Sequence, residues 1–157
     1  MNQIGLKTSI AICLGRLNLE MIEVFLDTSF AIALSSITDR HHARAVQLSH
    51  QLEASKARLV TTQAILLEIG NALSQSKYRR GAILLLESLQ ADPNVEIVLL
   101  TENLYIAALK LFKQRQDKEW GLVDCLSFVV MQNRGITDAL TADRHFQQAG
   151  FRALLTN

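Results

Sequence analysis

The sequence has few cysteines and no long apolar run, whereas many cysteines are typical of secreted and zinc-binding proteins and long apolar runs are typical of membrane proteins. Its two cysteines, Cys13 and Cys125, are far apart and have no neighbouring Cys or His at ligand spacing, which argues against a disulfide scaffold and a zinc site. No apolar run approaches the roughly 18 residues needed to cross a bilayer. These absences predict a soluble, cytoplasmic protein with no membrane partner.

Charge and proline content indicate a nearly neutral chain without a linker. Lysine and arginine total 16 against 15 aspartate and glutamate residues, so the chain lacks the bulk positive field typical of nucleic-acid binders. Any contact with nucleic acid must then come from local basic patches. With a single proline and no repeats, the chain shows no linker. Its 157 residues, 49% of them hydrophobic, suffice for one core.

The first 20 residues differ from the rest, because the first strong strand pattern begins only at Met21. We expect residues 1–20 to be a leader, either a loosely attached tail or a segment upstream of a true translation start at Met21. Residues 21–157 are expected to form a single domain.

Short β-branched runs alternate with longer helical patterns along that domain. Because the strand patterns are too uniformly apolar to have a face in water, they predict a mainly parallel sheet covered on both sides. The predicted fold class is α/β, a three-layer sandwich with a roughly five-stranded central sheet. Strands are predicted at 22–26, 57–62, 95–100, 137–142 and 151–156, and helices at 27–36, 41–55, 63–74, 78–90, 101–116, 122–134 and 143–149.

Two acids follow predicted strands. Asp27 comes directly after the first strand and Asp143 after the fourth, at the sheet edge where ligands bind in such folds. Each also precedes a helix, where a capping Asp contributes about 1 kcal/mol without any catalytic meaning. Position alone leaves both interpretations open.

Two further acids lie on apolar helix faces. Glu68 is in the middle of its helix and Asp124 in the first turn of its own, and neither has a Lys or Arg three or four residues away. The helix dipole can explain Asp124 but not Glu68. An ionised carboxylate out of water costs several kcal/mol unless a cation pairs with it, so a partner is expected.

A bound metal ion is the partner that would neutralise all these acids together, if their helices flank the first and fourth strands. All-oxygen ligation selects Mg²⁺ or Mn²⁺ rather than zinc. Such a carboxylate cluster can polarise a phosphodiester and activate a water. The candidate catalytic and metal-binding residues are Asp27, Glu68, Asp124 and Asp143.

Basic clusters near these acids are candidates for holding a polyanionic substrate, although solvated helix faces show the same pattern. Asp138 begins the fourth strand and is excluded as a ligand, and the adjacent His41 and His42 lack helical ligand spacing. The clusters are Lys77, Arg79 and Arg80; Arg40 with His41 and His42; and Arg144 with His145.

Four segments in order, VFLDTSFAIAL, TTQAILLEIGNAL, EWGLVDCLSFVVM and ITDALTADRHFQQAGF, resemble the motif series of PIN-domain ribonucleases. The resemblance is greatest to the VapC-like toxins of prokaryotic toxin–antitoxin systems, and it covers residues 21–157, implying a single PIN-like nuclease domain. It implies that Asp27, Glu68, Asp124 and Asp143 are the metal-binding acidic quartet. It also implies that Thr28, Ser29, Asn71 and Thr141 orient carboxylates or water, although capping and turn chemistry explains these four equally well.

The resemblance implies a Mg²⁺- or Mn²⁺-dependent endoribonuclease that acts on RNA, forms a homodimer and is held inactive by a small antitoxin protein. Two alternatives stay open. One is a PIN-like RNA-processing nuclease outside any toxin–antitoxin system, and the other is a catalytically silent α/β binding scaffold.

Two other α/β classes also place an Asp after a strand. A receiver domain needs an acidic pair near the first strand and a lysine after the last, but only Glu23 precedes Asp27 in its strand and FRALLTN contains no lysine. A haloacid-dehalogenase-like phosphatase needs DxD where this chain has DTS. Neither class accounts for Glu68.

Overall fold

A computed structural model describes residues 21–156, so the expected leader lies outside the described residues. Within that range, five strands form one sheet between layers of helices. No helix there has the length and apolar character that a membrane span requires. In chain order the elements are β1 (Glu23–Leu26), α1 (Thr28–Ser35), α2 (His42–Ser55), β2 (Arg58–Thr62), α3 (Gln63–Ala72), α4 (Ser76–Ala91), β3 (Val95–Val98), α5 (Glu102–Gln114), α6 (Leu122–Arg134), β4 (Asp138–Leu140), α7 (Arg144–Gln148) and β5 (Arg152–Ala153).

The sheet has the order β3-β2-β1-β4-β5, and every pair of neighbouring strands is parallel. This confirms the predicted α/β architecture. The chain builds outwards from β1 through β2 to β3, and then returns to place β4 on the other side of β1. In the register, Phe25 of β1 lies between Val60 of β2 and Ala139 of β4. The strand order therefore reverses between β1 and β4, where open α/β sheets bind ligands.

An aromatic cluster joins the sheet to the two helices that carry the later acids. Phe128 of α6 and Phe146 of α7 pack edge to face, with ring centroids 5.0 Å apart, and Phe146 lies 6.0 Å from Phe25 of β1. All three side chains are almost fully buried. Since Phe128 is one turn after Asp124 and Phe146 is three residues after Asp143, this packing fixes both acids relative to the sheet.

Side-chain caps begin four of the helices, and two of these caps, Asp27 and Asp143, are ones that the sequence suggested. Asp27 caps α1, Thr62 caps α3, Thr101 caps α5 and Asp143 caps α7, each accepting a hydrogen bond from a backbone N–H in the first turn. Gly135 ends α6 with a positive φ of 68°, the conformation that favours glycine at a helix end.

All five strands are shorter than predicted, β1 and β2 by one residue each and the other three by more. The strand predicted at 137–142 contains only Asp138–Leu140, because Thr141 and Ala142 already lead into the Asp143 cap of α7. The prediction for β3 ran to residue 100, but the strand ends at Val98 because Leu99 and Leu100 leave the sheet and are exposed. The backbone N–H of Leu100 instead donates to Oε1 of Gln63 over 2.8 Å. The last strand was predicted at 151–156 and contains only Arg152–Ala153, because β5 is an edge strand with β4 as its one neighbour and the chain then turns.

Candidate metal centre

Asp27 lies at the carboxyl end of β1 and is only 7% exposed. Its Oδ2 accepts hydrogen bonds from the hydroxyls of Ser29 and Thr141, each over 2.8 Å, and from the backbone N–H of Ser29 over 3.3 Å. Burial raises the pKa of Asp27 above its ordinary value, and these hydrogen bonds offset part of that rise. The residue is therefore both a helix cap and a buried acid.

The two hydroxyls that hold Asp27 also hold the loop after β4. The Thr141 oxygen accepts the backbone N–H of Asp143 over 2.9 Å, and the Ser29 oxygen accepts that of Ala142 over 3.1 Å. The ends of β1 and β4, already neighbours in the sheet, are thus tied together at the point where strand order reverses. Asp27 and Asp143 are positioned by the same small network.

Glu68 reaches this edge from α3. The hydroxyl of Thr28, the residue after Asp27, donates to Glu68 Oε2 over 2.8 Å and holds the half-buried carboxylate towards β1. The pKa of Glu68 is raised, first by burial and then by the negative charges of Asp27, Asp124 and Asp143, whereas the bond from Thr28 lowers it. Glu68 is therefore held at the same edge of the sheet as Asp27, to which Thr28 is adjacent.

Asp124 is in the first turn of α6, where the backbone N–H of Gly121 donates to its Oδ2 over 2.8 Å. That oxygen lies 2.9 Å from Nδ1 of His145 in α7. Asp143 caps α7 by accepting the backbone N–H of His145 at Oδ1 over 2.8 Å. Ligand atoms of Asp124, Asp143 and His145 all lie within 4.8 Å of one another, which is a spacing that allows shared metal ligation.

The four acids therefore form two linked groups. Asp124 and Asp143 form a compact group with His145, while Asp27 and Glu68 lie outside the 4.8 Å cluster. Thr141 connects Asp27 to the backbone of Asp143. Thr28, the residue after Asp27, connects the end of β1 to Glu68.

The anchoring bonds follow one pattern. Each is made to a single oxygen of its carboxylate: Oδ2 in Asp27 and Asp124, Oε2 in Glu68 and Oδ1 in Asp143. Across residues 21–156, none of these acids forms a salt bridge with Lys or Arg. Several carboxylates held in place without a Lys or Arg partner fit a divalent cation with a preference for oxygen ligands.

Other residues singled out in the sequence lie in different settings. Asn71 is exposed and, among the described residues, makes no side-chain hydrogen bond to an acid. The structure therefore does not place it among the groups that orient the four carboxylates. Asp138 lies at the start of β4, where it pairs with Arg152. Lys77, Arg79 and Arg80 are exposed at the start of α4, and Arg144 is exposed and faces Glu119.

His145 is the residue that sequence reasoning missed. It was grouped with Arg144 as a candidate for contacting substrate, whereas its ring contacts Asp124 and is only 19% exposed. The available signal was its position two residues after Asp143, because a residue there lies in the first turn of the helix that Asp143 caps.

Comparison with known proteins identifies the fold family. A family model described as the PIN domain matches residues 24–152. The chain belongs to the PIN-domain family. This confirms the resemblance drawn from the four sequence segments.

The PIN domain is similar to the 23S rRNA-specific endonuclease VapC20 of Mycobacterium tuberculosis, from strains CDC 1551 / Oshkosh and ATCC 25618 / H37Rv. Each is 31% identical over 129 residues, covering 82% of this chain and 95% of the relative. A crystal structure of M. tuberculosis VapC20, described as a sarcin-ricin loop cleaving toxin, matches with a TM-score of 0.72 and 29% identity. That match covers 82% of this chain and 95% of the other.

Proposed function

We propose that this PIN domain is a Mg²⁺- or Mn²⁺-dependent endoribonuclease that acts in the cytoplasm as the toxin of a toxin–antitoxin pair. The observation that carries the proposal is the convergence of four carboxylates at the switch point of the sheet without a Lys or Arg partner in the described chain. An arrangement of this kind destabilises the folded protein unless a cation binds.

The proposed metal ligands are Asp27, Glu68, Asp124 and Asp143. An all-carboxylate set suits hard cations, which coordinate oxygen. When bound, such an ion supplies Lewis-acid activation of the phosphodiester and of the attacking water.

The protein's own contribution is to hold the carboxylates in position before substrate arrives. The hydroxyls of Thr28, Ser29 and Thr141 and the backbone N–H of Gly121 each fix one carboxylate oxygen. The other oxygen of each acid is then available without a large loss of side-chain entropy. Asp143, with a side chain 38% exposed, is more open to a substrate than Asp124, at 20%.

Substrate and partners are proposed from the relatives. The VapC20 proteins are named as 23S rRNA-specific endonucleases, and the solved one as cleaving the sarcin-ricin loop, which makes that RNA hairpin the first substrate to test. A small antitoxin protein and a second copy of the chain are the proposed protein partners. Exposed cations such as Lys77, Arg79 and Arg80 are candidates for contacting RNA phosphates.

The test is cleavage of a sarcin-ricin hairpin and of a mixed single-stranded RNA by purified protein with Mg²⁺, Mn²⁺ or EDTA. Wild type is compared with Asp27→Asn and Asp124→Asn, which keep the capping acceptors but remove the charges. Glu87→Gln, a change at an exposed acid on α4, is the charge-matched control.

Metal-dependent cutting that both Asn variants abolish and the control retains would support the proposal. Cutting that persists in EDTA would overturn the metal requirement. If no form cuts RNA and calorimetry detects no metal binding, the nuclease proposal fails and a silent scaffold becomes the better description.

A further inference from the structure

His145 has a defined role in the geometry around Asp124. Its Nδ1 lies 2.9 Å from Oδ2 of Asp124 and 3.5 Å from Oδ1 of Asp143. Only the first distance is a hydrogen bond. Because an ionised carboxylate can only accept, the ring nitrogen must be the donor, so His145 carries a proton on Nδ1.

This bond completes the fixing of Asp124. The same Oδ2 already accepts the backbone N–H of Gly121, which holds the carboxylate against the start of α6. Two donors that approach one oxygen from different elements restrict rotation of the carboxylate more than one donor does. The second donor comes from α7, the helix that Asp143 caps.

The position of the imidazole is itself fixed by the core. His145 is followed by Phe146, which is buried and packs edge to face on Phe128, with ring centroids 5.0 Å apart. Phe128 is one turn after Asp124 on α6. Packing of the two phenyl rings therefore brings His145 next to Asp124. The hydrogen bond between them is a consequence of the contact between α6 and α7.

We propose that His145 is a positioning residue of the metal centre, which orients Asp124 through its Nδ1–H and joins Asp124 to the Asp143 cap without itself binding the metal. This inference rests on the proposed function, because it assumes that Asp124 and Asp143 bind a cation. Loss of the imidazole donor leaves Asp124 anchored by Gly121 alone and lowers metal affinity about 10–100-fold, as is typical of groups that orient metal ligands.

Mn²⁺ titration calorimetry on the full chain, without RNA, tests the proposal. The variants are His145→Ala, which removes the donor; His145→Asn, whose amide nitrogen can take the place of Nδ1; and His145→Gln, whose amide extends towards the Nε2 position instead. His50→Ala, at an exposed histidine on α2, is the matched control. Thermal unfolding in EDTA measures whether each variant is folded, independently of metal binding.

The expected result is weakened Mn²⁺ binding in the Ala and Gln variants, near wild-type binding in the Asn variant, and no change in the control. A structural role alone would not separate Asn from Gln, which makes this pair decisive. Equal affinity in wild type and all three variants would overturn the proposal, and so would equal weakening in all three.

A spectroscopic measurement distinguishes positioning from ligation. Pulsed electron paramagnetic resonance of the Mn²⁺ complex detects nitrogen bound directly to the ion. We expect no directly coordinated imidazole in the wild type, and a signal that disappears in His145→Ala would overturn the proposal in favour of a histidine ligand. If the wild type binds no Mn²⁺ at all, the proposed metal function fails first, and the inference fails with it.

Discussion

The hydroxyl of Thr141 donates to Oδ2 of Asp27 over 2.8 Å, and its oxygen accepts the backbone N–H of Asp143 over 2.9 Å. A single side chain thus connects an acid at the end of β1 with an acid after β4. Thr141 is fully buried, so water cannot replace either bond. The relative position of the two acids depends on a hydroxyl group as well as on the sheet.

Replacing Thr141 with Val tests this dependence. The substitution keeps the volume, removes both hydrogen bonds and leaves the Asp143 N–H without its acceptor. We expect a loss of about 1–3 kcal/mol in the free energy of unfolding in EDTA, because buried polar groups lose their partners. We also expect Mn²⁺ affinity to fall about 10–100-fold. Urea unfolding and calorimetry measure the two effects.

Thr141→Ser is the control for this prediction, since it keeps the hydroxyl and removes one methyl group. It should recover most of the metal affinity. Unchanged affinity in the Val variant would show that the sheet and the Ser29 hydroxyl position the two acids without Thr141.

Asp27→Asn should change the pH dependence of stability in the metal-free protein. Burial raises the pKa of Asp27 in the folded chain, so the folded state holds this proton more tightly than the unfolded state does. The contribution of Asp27 to stability is therefore present at low pH and is lost as pH rises through the raised pKa. The Asn side chain has no proton to lose, so the variant should become more stable than wild type as pH increases.

Urea unfolding in EDTA, from acid to neutral pH, measures this difference. The difference in the free energy of unfolding between the two proteins should become constant as pH falls towards the unfolded pKa of aspartate, about 3.9. An Asn variant that is less stable than wild type at neutral pH would show that the Asp27 charge stabilises the fold without metal.

Much of the fold was predictable because its local signals agree with its tertiary structure. The apolar runs around Phe25 and Val60 are buried on both faces, as parallel strands require. Asp27 and Asp143 cap the helices that follow them, as their positions in the sequence suggested. The ends of strands were less predictable. Leu99 and Leu100 continue the apolar pattern of β3, yet a side chain from another element, Gln63, takes the Leu100 N–H.

The candidate site could be proposed from the sequence to the extent that its residues break a local rule. Glu68 stands out because an unpaired acid on an apolar helix face is costly, and that cost is visible without coordinates. His145 gives no such signal, since a histidine in the first turn of a short helix is unremarkable by itself. Its role arises from the packing of Phe146 on Phe128, which joins residues distant in sequence.

Glu68→Gln should separate the charge of this residue from its hydrogen bond. The Gln carbonyl can still accept the Thr28 hydroxyl, which now donates to Glu68 over 2.8 Å. Because a proposed ligand is lost, we expect RNA cleavage to fall by more than the roughly 10–100-fold typical of outer-shell changes. Stability in EDTA should not fall, because burial first, and then the charges of the three other acids, raise the pKa of Glu68 and oppose its ionisation.

Cleavage rates under saturating Mg²⁺ and melting temperatures in EDTA check this prediction. Thr28→Val is the companion variant, which keeps the charge and removes the hydrogen bond, so its cleavage defect should be the smaller of the two. A Gln variant that cuts RNA at the wild-type rate would remove Glu68 from the metal centre.

Metal binding should appear as an increase in the stability of the folded protein. A cation that binds only the folded state adds RT ln(1 + [L]/Kd), or about 2.7 kcal/mol at a hundredfold excess over Kd. The urea midpoint should therefore rise with Mg²⁺ concentration, and the Kd from that rise should match the calorimetric value. Asp124→Asn should remove most of the increase while Glu87→Gln keeps it, because only the first change removes a carboxylate at the sheet's switch point. An equal increase in both variants would mean that the ion binds elsewhere on the surface, and the absence of a Lys or Arg partner at the four acids would then need another explanation.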